Sequence, residues 1–100
     1  MDGLHLAAHI GHEKVVKVLL EASIQHDINV NTFDFRNRTP FTIACKYGHL
    51  KVVKLMIQES RTYGIDLNFL DSNGRSAMQF AIENKHLEIA GVMIDESKDN

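Results

Sequence analysis

The histidines near the start of the chain are the first residues whose spacing is compatible with chemistry. His5 and His9 are four residues apart, and His12 follows closely. On a helix, such a pair places two imidazoles on one face, as a zinc site requires. No cysteine cluster or acidic ligand is placed to complete the coordination sphere. We therefore predict no metal site and interpret these histidines as structural.

Two other groups of residues resemble reactive sites at first sight. Cys45 precedes His49 by four residues, but no phosphate-binding glycine loop, oxyanion hole or pair of carboxylates accompanies them. The segment 66–74 resembles a calcium loop, yet neither Asp66 nor Asp71 as first ligand puts the other ligands and the glycine in register. We predict a non-enzymatic chain without cofactors, in which Cys45 is a small buried thiol.

The composition is typical of one folded domain and excludes several classes of function. The 100 residues carry a net charge of −2, and basic and acidic side chains are well mixed, which argues against a nucleic-acid binder. The single cysteine excludes an intrachain disulfide and suits a reducing compartment. No apolar run approaches the roughly 20 residues of a membrane span, and no signal peptide is recognisable. We expect no membrane insertion and a cytoplasmic location, with the nucleus left open.

The chain repeats itself with a period of 37 residues. Segments 4–22, 41–59 and 78–96 align with one another, and a fixed period of this length is typical of a stacked array. We divide the single domain into a first unit, residues 1–33, which lacks its start, a second unit, residues 34–70, and a third unit, residues 71–100. The coinciding positions include Ala7, Ala44 and Ala81; His12, His49 and His86; Val15, Val52 and Ile89; and Leu20, Ile57 and Ile94.

Each unit has the pattern of two helices joined by a short turn and followed by a long connection. In the second unit, Thr39 can cap the first helix, Pro40 fits its first position and Gly48 can end it in the left-handed region. The same pattern in each unit predicts helices over 4–10, 14–23, 40–47, 50–60, 77–84 and 87–95.

The connections 24–38 and 61–75 are rich in asparagine, aspartate and aromatic residues. Their segments 28–33 and 65–69 have some β character, and Asn37 and Gly74 mark turns that need a positive φ. The predicted fold class is therefore an all-α solenoid with β-hairpin-like loops that project from the stack.

The middle copy reads Asp34-Phe-Arg-Asn-Arg-Thr-Pro-Phe-Thr-Ile-Ala-Cys-Lys-Tyr-Gly-His49. It resembles the ankyrin repeat, whose pattern is D-x-x-G-x-T-P-L-H-x-A-A-x-x-G-H, and the resemblance covers residues 4 to about 95. It implies a stack of helix pairs that recognises another protein without catalysis. It casts His5 as a local hydrogen-bonding residue.

The chain departs from the ankyrin pattern in three respects. Its period is 37 rather than 33 residues, and we expect the four extra residues near 23–27 and 60–64 to lengthen the end of the second helix or its loop. The first copy lacks the turn segment. In the third copy Ser76 and Ala77 replace Thr-Pro and Lys85 replaces glycine, so we expect a reshaped turn in a terminal capping unit.

The resemblance also implies that a partner binds across the turn tips and the first helices. Most weight falls on the middle unit, whose aromatic and positively charged residues are typical of interfaces and favour an acidic partner. The alternative that Phe33 or Phe35 packs between neighbouring loops stays open, and His9 is expected to be exposed. The candidate partner-binding residues are Phe33, Phe35, Arg36, Arg38, Lys46, Tyr47, Ser72, Asn73, Arg75, Glu83 and Asn84.

Three further expectations concern the surroundings of the array. The first unit has apolar residues without a preceding neighbour, which predicts self-association through that unit. By resemblance, Asn31 and Asn68 match an asparagine that ankyrin repeats offer to a hydroxylase. The chain begins directly in helix-like sequence, so an alternative is a regulatory or scaffolding segment excised from a larger enzyme or channel.

Overall fold

Seven helices follow one another in the computed structural model, which describes residues 2–98 and the side chains of residues 2–95. Six of them are those predicted from the repeat, each within three residues at its ends. The helices are α1 Gly3–Ile10, α2 Glu13–Gln25, α3 Pro40–Lys46, α4 Leu50–Gln58, α5 Ser60–Tyr63, α6 Ala77–Glu83 and α7 Leu87–Lys98.

The helices form two layers. The first helix of each unit packs on the next, α1 on α3 and α3 on α6, and the second helices do the same, α2 on α4 and α4 on α7. The middle unit lies between the other two, and Pro40 to Cys45 are all buried. This is the predicted all-α solenoid, with the core running between the layers.

Short polar residues set the helix starts. The Thr39 hydroxyl accepts a hydrogen bond from the Thr42 backbone N–H at 3.2 Å, and Pro40 occupies the first helical turn, as predicted. In the third unit, Ser76 and Gln79 form a reciprocal capping box, which compensates for the missing Thr-Pro pair. The Asp2 side chain caps α1 by accepting from the His5 backbone N–H at 2.9 Å, a role not predicted from the sequence.

The four extra residues of the 37-residue period form additional helix. In the first unit α2 continues to Gln25, and in the second α5 adds a turn after α4. Both extensions are followed by a left-handed residue at the equivalent position, Asp27 with φ 52° and Gly64 with φ 69°. Of the two expected outcomes, a longer helix end or a longer loop, the structure has the longer helix end.

No strand forms between residues 2 and 98, so the β character assigned to 28–33 and 65–69 was wrong. The Asn29 side chain accepts from the Asn31 backbone N–H at 2.9 Å, and the Asp66 side chain accepts from the Asn68 N–H at 2.8 Å. These local bonds occupy donors that a strand ladder would use. The turns themselves are present, with Asn37 at φ 59° and Gly74 at φ 75°.

Candidate protein-interaction surface

Asp34 organises the turn at the tip of the second unit. Its Oδ1 accepts from the backbone N–H groups of Arg36 and Arg38, each at 2.9 Å, and its Oδ2 accepts from the Arg38 Nε at 2.8 Å. The side chains of Asp34 and Arg38 are both buried. Burial alone would raise the pKa of Asp34, but the hydrogen bonds from Arg38 and Arg36 outweigh it and lower the pKa. Arg38 is therefore a structural ion-pair partner within the turn, and it presents little surface.

Phe35 and Arg36 occupy the outermost part of this tip. The Phe35 side chain is 87% exposed, and the Arg36 guanidinium carbon lies 5.5 Å from the centre of its ring. The Arg36 carbonyl accepts from both the backbone N–H and the hydroxyl of Ser72, at 3.0 and 2.8 Å. The tip is therefore tied to the next one through its backbone, and both outer side chains stay accessible.

Lys46 and Tyr47 lie at the end of α3, where the left-handed Gly48 follows. Tyr47 is 42% exposed, and its ring meets that of His9 edge-on with centroids 4.3 Å apart. The Lys46 ammonium lies 5.5 Å from the Tyr47 ring centre and 5.6 Å from that of Phe80. His9 is half-buried by this contact, so its expected exposure was wrong.

The third unit adds a mixed polar set to the same side. The Arg75 guanidinium carbon lies 5.7 Å from the Phe80 ring, and its Nη1 lies 3.5 Å from a Glu83 carboxylate oxygen. Asn84 donates to the Phe80 carbonyl at 2.8 Å. Phe80 is buried, so it holds Lys46 and Arg75 around one ring. This role of Phe80 was not predicted from the sequence, although its position within a first helix was visible.

Phe33 makes a different contact from Phe35. Its ring meets that of Phe69 edge-on at 4.7 Å, which joins the two successive connections. Phe33 remains 51% exposed, and Leu70, its counterpart in the repeat, is 54% exposed. The alternative of packing between loops therefore describes Phe33, whereas the Phe35 ring is left open.

The three residues that resembled reactive groups in the sequence, His5, Cys45 and Asp71, are buried or hydrogen-bonded within the fold. The Nε2 of His5 donates to the Arg38 carbonyl at 2.8 Å, and its Nδ1 lies 3.0 Å from Asp2 Oδ1. Burial raises the pKa of the Cys45 thiol to about 12, which removes the thiolate at neutral pH. Asp71 uses its Oδ1 to accept from two N–H groups of its own turn. Among the described residues, no group of three or more His, Cys, Asp or Glu side chains is arranged to hold a metal ion.

The chain belongs to the ankyrin-repeat family. A family model described as ankyrin repeats, in three copies, matches residues 4–100. Ankyrin repeats are generally protein–protein interaction modules and are typically non-catalytic. Comparison with curated proteins gave no match. Within residues 2–98, no helix has the length and apolar character needed to cross a membrane.

Proposed function

We propose that this chain binds a protein partner through an acidic segment of that partner. The contact would centre on Phe35, Arg36, Lys46 and Tyr47, which we call the tip–helix surface. The proposal rests mainly on Phe35, whose aromatic ring is 87% exposed and has the Arg36 guanidinium beside it. Exposed aromatic rings next to accessible cations are typical of binding hot spots.

The charge of the tip–helix surface supports an acidic partner. Arg38 is paired with Asp34, so the accessible cations of the tip and first helix of the middle unit, residues 34–47, are Arg36 and the half-buried Lys46. Neither has a carboxylate partner within the described side chains, unlike Arg75, which pairs with Glu83. Ser72, Asn73, Glu83 and Asn84 would form a polar rim. Three candidate positions remain: Arg75 would lie in the rim, paired with Glu83, and Phe33 and Arg38 would support the backbone of the surface.

The tip–helix surface is also rigid. The Asp34 turn and the bond from Ser72 fix the backbone on which Phe35 and Arg36 lie. Binding would therefore cost less free energy than binding to a free loop, which would have to be ordered first. A cytoplasmic location is part of this proposal, supported by a single cysteine, which is buried and reduced.

Selection from a phage-displayed library of random linear peptides tests the proposal. We expect the selected peptides to be rich in aspartate and glutamate. Their affinity should fall by about tenfold or more in Phe35→Ala and in Arg36→Glu. Ile24→Ala and Lys17→Glu, at exposed positions of α2, are the matched controls and should leave the affinity unchanged. Acid-rich peptides that bind the Phe35 variant and the wild type equally would place the binding surface elsewhere.

A further inference from the structure

The junctions between units share one histidine contact. His49 Nε2 donates to the His9 carbonyl at 2.7 Å, and His86 Nε2 donates to the Lys46 carbonyl at 3.0 Å. In each case the histidine at the start of a second helix reaches back to the end of the preceding unit's first helix. The equivalent histidine of the first unit, His12, is exposed.

Each of these histidine rings lies directly over a glycine of the preceding unit. A Cβ added to Gly11 would lie 2.3 Å from the Nδ1 of His49, and one added to Gly48 would lie 2.5 Å from the Cε1 of His86. Both distances are far inside van der Waals contact. Seating a histidine-bearing unit in this geometry therefore requires a residue without a side chain at the glycine position.

The third unit has Lys85 at this position. The turn is not reshaped as expected, because Lys85 adopts the same left-handed conformation, with φ 63°. The hydrogen bond that closes this turn is also the same in both units. The His49 N–H donates to the Ala44 carbonyl at 3.0 Å, and the His86 N–H donates to the Ala81 carbonyl at 2.8 Å. With the same backbone, the Lys85 side chain starts where the ring of a following histidine would lie.

We propose that Lys85 closes the outer face of the third unit to any ankyrin unit that carries histidine at the start of its second helix. The rejected units include the first unit of a second copy of this chain, which would present His12. This selection would operate although the first unit exposes apolar residues that the other units bury. Leu6 is 51% exposed while its equivalent Ile43 is fully buried, and Val15 is 40% exposed while Val52 is fully buried. Lys85 thus decides which neighbour the stack accepts, independently of the tip–helix surface.

An extended chain tests this role of Lys85. Residues 62–98 are repeated directly after residue 98, which supplies a further helix pair with its own copy of His86 facing Lys85. The variants Lys85→Gly and Lys85→Asn are made in the original third unit. Both relieve the left-handed conformation of lysine, but only the glycine variant removes the Cβ.

Amide hydrogen exchange of the added helix pair is the measurement. We expect fast exchange with lysine and in Lys85→Asn, and exchange slower by about tenfold or more in Lys85→Gly, because a docked pair protects its amides. Equal exchange in the three chains, whether fast or slow, would overturn the proposal. The original three units provide an internal reference for folding in each chain.

Discussion

Asn31 and Asp66 are joined across two successive connections, with the Asn31 Oδ1 accepting from the Asp66 backbone N–H at 2.8 Å. The Nδ2 of the same amide donates to the Gly64 carbonyl, also at 2.8 Å. One side chain therefore satisfies a backbone donor and a backbone acceptor in the neighbouring unit. Asn68, its equivalent, is exposed.

This difference predicts unequal effects of two matched substitutions. Asn31→Ala should lower the free energy of unfolding by about 1–2 kcal/mol, because two backbone groups lose their partner. Asn68→Ala should change it by less than about 0.5 kcal/mol. Urea unfolding followed by circular dichroism measures both, and equal losses would contradict the bridging role of Asn31. For the same reason, hydroxylation expected from the family resemblance should favour Asn68.

The histidine junction gives a second prediction. His49→Ala should cost about 1–2 kcal/mol of unfolding free energy, since it removes the bond to the His9 carbonyl and leaves a gap over Gly11. His12→Ala removes the same residue type from the same position of the first unit, where the ring is exposed, and should be nearly neutral. Urea midpoints at a common slope provide the measurement. If the two variants lose the same stability, the contact is not what stabilises the junction.

Asp34 gives a third prediction, on acid stability. Its pKa in the folded chain is below the ordinary value of 3.8. The stabilisation from its charged form is therefore complete above that pH and is lost as the pH falls through the lower folded pKa. Stability should drop below about pH 4 in the wild type, and this drop should be smaller in Asp34→Asn. Thermal unfolding at a series of pH values measures the slope.

The Asp34 substitution also has a matched control at neutral pH. Asp34→Asn should cost about 2–3 kcal/mol, because the buried Arg38 loses its carboxylate partner. Asp71→Asn changes the equivalent turn, whose Arg75 pairs with Glu83 instead, and should cost about 1 kcal/mol or less. A larger loss in the Asp71 variant would show that the ion pair is not the main contribution of Asp34.

Cys45 gives a fourth prediction, on reactivity. The thiol is fully buried and burial raises its pKa to about 12, so folded protein at about pH 8 should react with iodoacetamide only through opening of the middle unit. In denaturant the same thiol should react at the rate of a free cysteine. Mass spectrometry follows both reactions. Rapid labelling under native conditions would contradict the burial of this thiol in the folded middle unit.

Local sequence signals were sufficient to predict where the six main helices of this protein begin and end to within three residues. Thr39 with Pro40 specifies a helix start, and Gly48 specifies an end, through the chain immediately around them. The period of 37 then transferred these boundaries to the other units. The absence of strands was missed, because bonds such as that from the Asn31 N–H to the Asn29 side chain compete with a ladder without changing the apolar pattern.

The candidate site was harder to predict than the fold. Arg38 and Arg36 look alike in the sequence, but only Arg38 reaches back across the turn to Asp34 and is buried. The half-burial of His9 depends on Tyr47, which comes from the next unit. Contacts of this kind depend on how units dock, so residue type and spacing did not determine them.

The nearest-neighbour order of the helices has a mechanical consequence. α3 packs against both α1 and α6, and α4 against both α2 and α7. Tension applied across these three units would therefore act first on the first and third, each of which packs against one neighbour among the three. The stack would peel inward from its ends, and the middle unit would be the last to yield.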